Sequence, residues 1–302
     1  MTIKPNSPKV FSLLSLILIF SVIYAVGCSV IKQACKNIPN FDGERAFKDV
    51  QYQVSLGPRI PGTPGQEQIL KWLDEELSKN KWEVELQGHE IGGKTITNLV
   101  ASRGEDGKYI LLGAHYDTRI YADQDPDPSL RRSPVPGAND GGSGVAVLLE
   151  MARILPNDLP MPVQIVFFDA EDNGGIEDWD WILGSRAFVQ HMVFHPEAAI
   201  IVDMVGDADL KLYKEHNSNV DLMEQIWEQA RLLGYDEVFL PGYKFSVLDD
   251  HTPFIEAGIP AVDIIDLDYP YWHTTEDTAD KVSVESLQIV GDTLLAWILS
   301  LE

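Results

Sequence analysis

Tyr109-Ile110-Leu111-Leu112-Gly113-Ala114 runs directly into His115-Tyr116-Asp117. The first six residues carry no charge and show no alternation of apolar with polar side chains. A strand buried on one face would alternate, so this run predicts a strand covered on both faces, as in parallel sheets flanked by helices. Val163–Phe168 (VQIVFF), residues 198–202 (AAIIV) and residues 260–265 (PAVDII) read the same way. Between and after them the apolar spacing turns helical, at residues 142–155, at Val220–Leu233 and at residues 283–301. Buried strands alternating with helices predict an α/β fold, a three-layer sandwich around a mostly parallel central sheet.

Working outward, residues 42–54 and 63–79 also have helical spacing, the second with Ile69, Trp72, Leu73 and Leu77 on one face. Thr63-Pro64 supplies its cap and first turn, after the turn Gly57-Pro58-Arg59-Ile60-Pro61-Gly62. Residues 82–86 and 95–101 are strand-like. An Asp- and Pro-rich loop covers residues 123–136 and is too long for a mere connector, so it is expected to shape a site.

At the N-terminus, Lys4 and Lys9 precede an uncharged apolar run at residues 10–30, the pattern of an export signal or anchor. Cys28, after Ala25-Val26-Gly27, resembles the acylated cysteine of a bacterial lipoprotein, and a retained helix is the alternative. The expected organisation is a signal peptide or membrane anchor over residues 1–27, a tether over 28–42 and one folded domain over 43–302, outside the cytoplasm and attached to a membrane. Asp plus Glu outnumber Lys plus Arg by 47 to 23, and a net charge of −24 argues against nucleic-acid binding. It suits partners with a free amine. Cys28 and Cys35 both precede the domain, so a metal would have to be held by imidazole and carboxylate.

In open α/β sheets ligands bind beyond the C-terminal ends of the strands. The residues at those ends are His115 and Asp117; Asp169, Glu171 and Asp172; Asp203; and, past the last strand, Asp266, Asp268 and His273. Asn139-Asp140 stands where the long loop meets a helix N-terminus. Taken singly, such residues are usually caps or solvated loop acids. Together they would repel one another unless a cation sits among them, and oxygen donors with imidazole suit zinc.

GAHYDTR, GANDGGSG, FFDAED, LGSRAF, DMVGD and YWHTTEDT occur in this order, from Gly113 to Thr278. This series resembles the zinc aminopeptidase family that also contains the glutaminyl cyclases, and the opening FDGERAF…QVSLGPRIPGTPG is similar to the bacterial cyclases. The resemblance implies Asp140, Asp172 and His273 as zinc ligands and Glu171 as general base, with Asp203 and Asp249 as further catalytic carboxylates. One zinc is expected. Two are the alternative, since His115 and Asp203 match the residues that hold a second zinc in aminopeptidases. Trp272 before the ligand His, Asp249-Asp250-His251, and Trp179 and Trp181 in an insert are cyclase-like, and imply a pocket built with Trp272, Trp179, Trp181 and Asp263. Asp172 stands where animal cyclases and aminopeptidases have Glu, and Asp263 where animal cyclases have His. The implied activity is cyclisation of N-terminal Gln on peptides or proteins. The alternatives are a hydrolytic aminopeptidase and a catalytically silent binding module.

Overall fold

The computed structural model describes residues 39–104, 107–159 and 161–301. The expected signal segment and most of the tether lie outside these residues. Phe41 to Glu302 forms one compact unit. Phe41 is already buried in the main core and Asp42 caps the first helix by accepting from the Arg45 amide, so the folded body starts two residues before its expected boundary.

In chain order the elements are α1 (Gly43–Ser55), α2 (Pro64–Lys79), β1 (Glu83–Ile91), β2 (Lys94–Ser102), β3 (Ile110–His115), α3 (Gly142–Ile154), β4 (Val163–Phe168), α4 (Leu183–His191) and β5 (Ala198–Asp203). There follow β6 (Leu212–Glu215), α5 (Val220–Leu233), β7 (Phe239–Phe245), α6 (Thr252–Glu256), β8 (Ala261–Ile265), a 3₁₀ turn at Ala279–Lys281 and α7 (Val284–Leu299). The main sheet has the order β1-β2-β4-β3-β5-β8. Its β4, β3, β5 and β8 strands are parallel, and β2 and β1 continue it antiparallel at one edge.

The strands behave as their composition predicts. Leu112, Ala114, Ile165, Phe167, Ile200, Val202, Val262 and Ile264 face the core beneath α1, α2, α3, α5 and α7. Their neighbours Leu111, Val166, Phe168, Ala199, Ile201 and Ala261 face the opposite side, against Phe188 of α4 and Phe254 of α6. Alternate side chains point to opposite faces of a sheet, so both faces need a cover and the strands lack polar alternation. The result is the helix–sheet–helix sandwich expected.

Differences are local. Thr63 does not cap α2; its hydroxyl donates to the Ile60 carbonyl at 2.7 Å, and only Pro64 acts as expected. The periodicity gave no sign of α4, β6 or β7. The β7 strand contains Pro241 and Gly242 and exposes most of its length, so no apolar pattern marks it. The N-terminus of α3 seats tightly on the sheet: a Cβ at Gly144 would lie 2.1 Å from the Val202 carbonyl oxygen, so only glycine allows this approach. That contact brings Asp140 to the end of β5.

Candidate metal centre and catalytic pocket

Five chain segments meet at the C-terminal edge of the parallel strands. His115 ends β3, Asp203 ends β5, Glu171 and Asp172 follow β4, and Asp140 precedes α3. His273 arrives on the turn after β8, with its backbone in the left-handed region at φ +55°. That conformation is costly for a non-glycine residue and is found mainly where surrounding contacts impose it.

His273 Nε2 lies 2.8 Å from Asp172 Oδ1 and 3.7 Å from Asp140 Oδ2. Asp140 Oδ2 and Asp172 Oδ2 are buried and accept no hydrogen bond. Buried carboxylate oxygens without donors are costly, and one of them, Asp140 Oδ2, lies 3.7 Å from the imidazole nitrogen that Asp172 approaches through its other oxygen. The three residues can therefore hold a cation, and their donor set fits zinc. A second group shares Asp140: His115 Nε2 is 3.2 Å from Asp140 Oδ1 and 3.1 Å from Asp203 Oδ1. A third comprises Asp249, His251 and Asp263; its His251 sits 3.7 Å from Asp263 and 3.5 Å from Glu215, which is outside the group.

Electrostatics point the same way. Burial pushes the Asp172 carboxyl up to about 6, reinforced by the Asp140 charge. Burial likewise raises Asp249 to about 6, with Asp203 adding to it. Glu171 is driven well above the usual carboxylate range by burial, against the pull of His115, and Asp249 and Asp172 reinforce the rise. Burial would lower the His115 pKa, but Asp203, Asp117 and Asp140 carry it well above the ordinary imidazole value. The local anions exceed the local cations.

A cavity of about 270 Å³ opens onto these groups. Asp140, Glu171, Asp172, Asp203, Asp249 and His273 provide its polar side, and Trp181, Trp272, Met204, Val247, Leu248, Ile265 and Leu267 its apolar walls. Trp272 stacks on the His273 ring at 3.7 Å, and Trp181 lies nearly parallel to that ring at 6.2 Å. Two expected pocket residues are elsewhere. Trp179 packs on Ile96, Ala170 and Leu183, with the Lys94 ammonium 4.9 Å from its ring centre. The insert backbone turns between the two tryptophans, so only Trp181 faces the cavity. Asp263 is fully buried, two residues before the pocket-lining Ile265 on β8, which sets it about 6–7 Å deeper along the strand.

Two organising roles were not anticipated. Asp117 accepts from the amides of Glu171 and Asp172 and from Asn173 Nδ2, and lies 3.3 Å from His115 Nδ1. Asp277 accepts from the amides of Asn139 and Asp140 and from the Tyr269 hydroxyl. Each sits within a quoted motif, Asp117 two residues after His115 and Asp277 four after His273. That spacing was the available signal. Asp117 orders the turn so that Glu171 and Asp172 can both enter the cavity.

The sequence profile of peptidase family M28 matches residues 98–298. The protein belongs to peptidase family M28. Among solved structures, this M28 protein is similar to a Zn-dependent exopeptidase from Parabacteroides distasonis, at 34% identity and TM-score 0.83 over 87% of this chain and 99% of the other. It is similar also to the glutaminyl cyclase of Tannerella forsythia, at 35% identity and TM-score 0.82 over 87% and 100%. Aminopeptidase YwaD of Bacillus subtilis is 32% identical over 84% of this chain, which spans only 56% of that relative's length. Relatives of both activities thus share the M28 fold, and the pocket must discriminate between them.

Proposed function

We propose that the protein is a zinc-dependent glutaminyl-peptide cyclotransferase, converting N-terminal Gln to pyroglutamate with release of ammonia. The observation that carries this reading is the pair of tryptophans, Trp181 and Trp272, whose rings lie near-parallel to the His273 ring and form part of the apolar wall of the cavity beside the metal ligands. An aromatic wall of this kind suits one folded Gln side chain. The glutaminyl cyclase of T. forsythia, similar over 87% of this chain, supports it.

Asp140, Asp172 and His273 would hold one tightly bound zinc ion, which would supply a Lewis acid for the substrate's γ-amide. Glu171 takes a proton from the substrate's α-ammonium as its nitrogen attacks the γ-amide carbon. The new bond from nitrogen to carbon closes the five-membered ring, Glu171 hands its proton to the amide nitrogen as the bond from the γ-carbon to that nitrogen breaks, and the second proton, shed by the ring nitrogen, leaves with the ammonia as ammonium. Asp203 and Asp249, both lining the cavity, steady the amine and the moving proton. Trp181 and Trp272 hold the reactive rotamer, and because the reaction is intramolecular this supplies much of the acceleration.

A second reading is favoured by one observation. His115, Asp140 and Asp203 form a further ligand-like group, as a two-zinc aminopeptidase requires. Gln-Ala and Ala-Ala dipeptides separate the two. The cyclase releases ammonia from Gln-Ala and leaves Ala-Ala intact. Free alanine from both, without ammonia, would establish the aminopeptidase.

We further propose that residues 1–27 export the domain and attach it to a membrane through Cys28 or an uncleaved helix, with residues 28–40 as tether. The charged and apolar pattern of residues 4–30 supports this. No helix among the described residues is long and apolar enough to cross a membrane. Metabolic lipid labelling that Cys28→Ser abolishes is the expected result; wild-type protein recovered free in the cytoplasm would overturn export.

A further inference from the structure

The Asp- and Pro-rich loop begins with a segment that touches both ligand-bearing turns. Arg119, only 4% exposed, donates from Nη1 to the Asp172 carbonyl at 2.6 Å and lies 3.8 Å from Asp172 Oδ1. Its other nitrogens grip Asp123, with Nε on Oδ1 at 2.8 Å and Nη2 on Oδ2 at 2.9 Å. Asp123 Oδ1 is 3.6 Å from His273 Nδ1, a buried nitrogen with no hydrogen-bond partner. The backbone adds further ties. The Ile120 amide donates to Asn173 Oδ1 at 2.8 Å and the Gln124 amide to the His273 carbonyl at 3.3 Å. Asp125 Oδ2 accepts from the Thr275 amide and hydroxyl at 3.0 and 2.7 Å. One short segment therefore spans two turns whose ligands are 101 residues apart in sequence.

We propose that Arg119 and Asp123 are positioning residues for the metal centre: Arg119 fixes the Asp172 turn, and Asp123 is the carboxylate toward which the Nδ1 proton of His273 points, 3.6 Å away, so that its charge orients the ring. The proposal rests on the reading of Asp140, Asp172 and His273 as metal ligands, but not on which reaction follows. When Nε2 is directed to a metal, Nδ1 is the protonated nitrogen and needs an acceptor. Asp123 is the carboxylate facing it, and the Arg119 fork holds that carboxylate in place with two parallel bonds, which a lysine cannot make. The left-handed backbone of His273 explains why a dedicated clasp is needed: the ties from Gln124 and Asp125 hold a conformation that the turn alone would not keep.

The test is zinc competition with a chromophoric chelator on the zinc-loaded protein, beside the unfolding midpoint of the metal-free form. Removing such an outer partner typically weakens metal binding 10–100-fold. Asp123→Ala is expected to loosen zinc by about that factor, with a smaller loss of metal-free stability, because Asp123 is itself 38% exposed and Arg119 keeps its bond to the Asp172 carbonyl. Asp123→Asn keeps an acceptor for His273 and should fall between wild type and Asp123→Ala. Arg119→Lys should loosen zinc as well, and it keeps the charge in case larger changes prevent folding. Zinc affinity within two-fold of wild type in Asp123→Ala would overturn the proposal. So would a loss of affinity matched by an equal loss of metal-free stability, which marks a structural role only. His273→Ala serves as reference: if it retains zinc, the metal reading has failed rather than the clasp.

Discussion

The molecule buries acidic residues in two places and treats them in opposite ways. On the helical face, Asp49 of α1, Glu76 of α2 and Glu150 of α3 meet Arg45 and Arg153. Arg45 grips both oxygens of Glu150 at 2.6 and 2.5 Å, and Arg153 reaches all three acids. That cluster has its own cations, and no buried carboxylate oxygen in it lacks a partner. At the sheet edge, Asp140, Asp172, Asp250 and Asp263 each keep at least one buried oxygen without a donor. Glu150 is as deeply buried as Asp140 and Asp172, so burial alone does not make a site. The difference is the negative charge left uncompensated at the sheet edge, and this is why one cluster braces helices and the other calls for a metal.

The comparison breaks most visibly at the ligands. His273→Ala and Asp140→Ala should each abolish zinc retention and reduce turnover to background, with elemental analysis after dialysis as the measurement. About one tightly held equivalent per wild-type molecule is expected; two that both resist removal would favour the aminopeptidase reading.

Arg153→Met addresses the other cluster. Removing one partner of a buried ion pair typically costs about 3–5 kcal/mol. The value here falls toward the low end, because Arg153 keeps 10% of its side chain exposed. Urea titration should show that loss, while turnover per folded molecule stays within about two-fold. A large drop in turnover with intact stability would erase the contrast between the clusters.

The smallest effect is a pH-dependent one at the boundary of the pocket. Glu215 is held down to about 2 despite its burial, because His251 and the amides of Asn217 and Val247 stabilise its charged form. A depressed folded pKa contributes stability above the unfolded value of about 4.5, lost as pH falls toward 2. The stability gap between wild type and Glu215→Gln should therefore hold from pH 7 to about 4.5 and narrow below it. A gap that widens in acid would reverse the assigned sign.

Much of this was legible in the sequence, for stated reasons. The parallel strands announce themselves because burial on both faces removes polar alternation, as in Tyr109 to Ala114. The convergence of His and acid at their C-terminal ends follows from topology, and the ordered motifs narrowed the family. What stayed hidden depends on long-range geometry. Nothing local tells that Arg119 meets Asp172 or that Asp117 orders the turn at Glu171. Trp179 and Trp181 are equivalent in composition, and only the path of the insert turns Trp181 inward. Asp263 entered the expected pocket through the family resemblance, which gives its place in the strand but not its depth.

The most direct test compares neighbours, Glu171→Gln with Asp172→Asn. The measurements are zinc content and the rate of ammonia release from a peptide with N-terminal Gln. If Glu171 is the base and Asp172 the ligand, Glu171→Gln keeps its zinc and fold and loses roughly 10²–10⁴-fold in turnover, the usual worth of a positioned general base. Asp172→Asn loses zinc itself. A Glu171→Gln protein that releases its metal, or that turns over within a few-fold of wild type, would contradict the assignment.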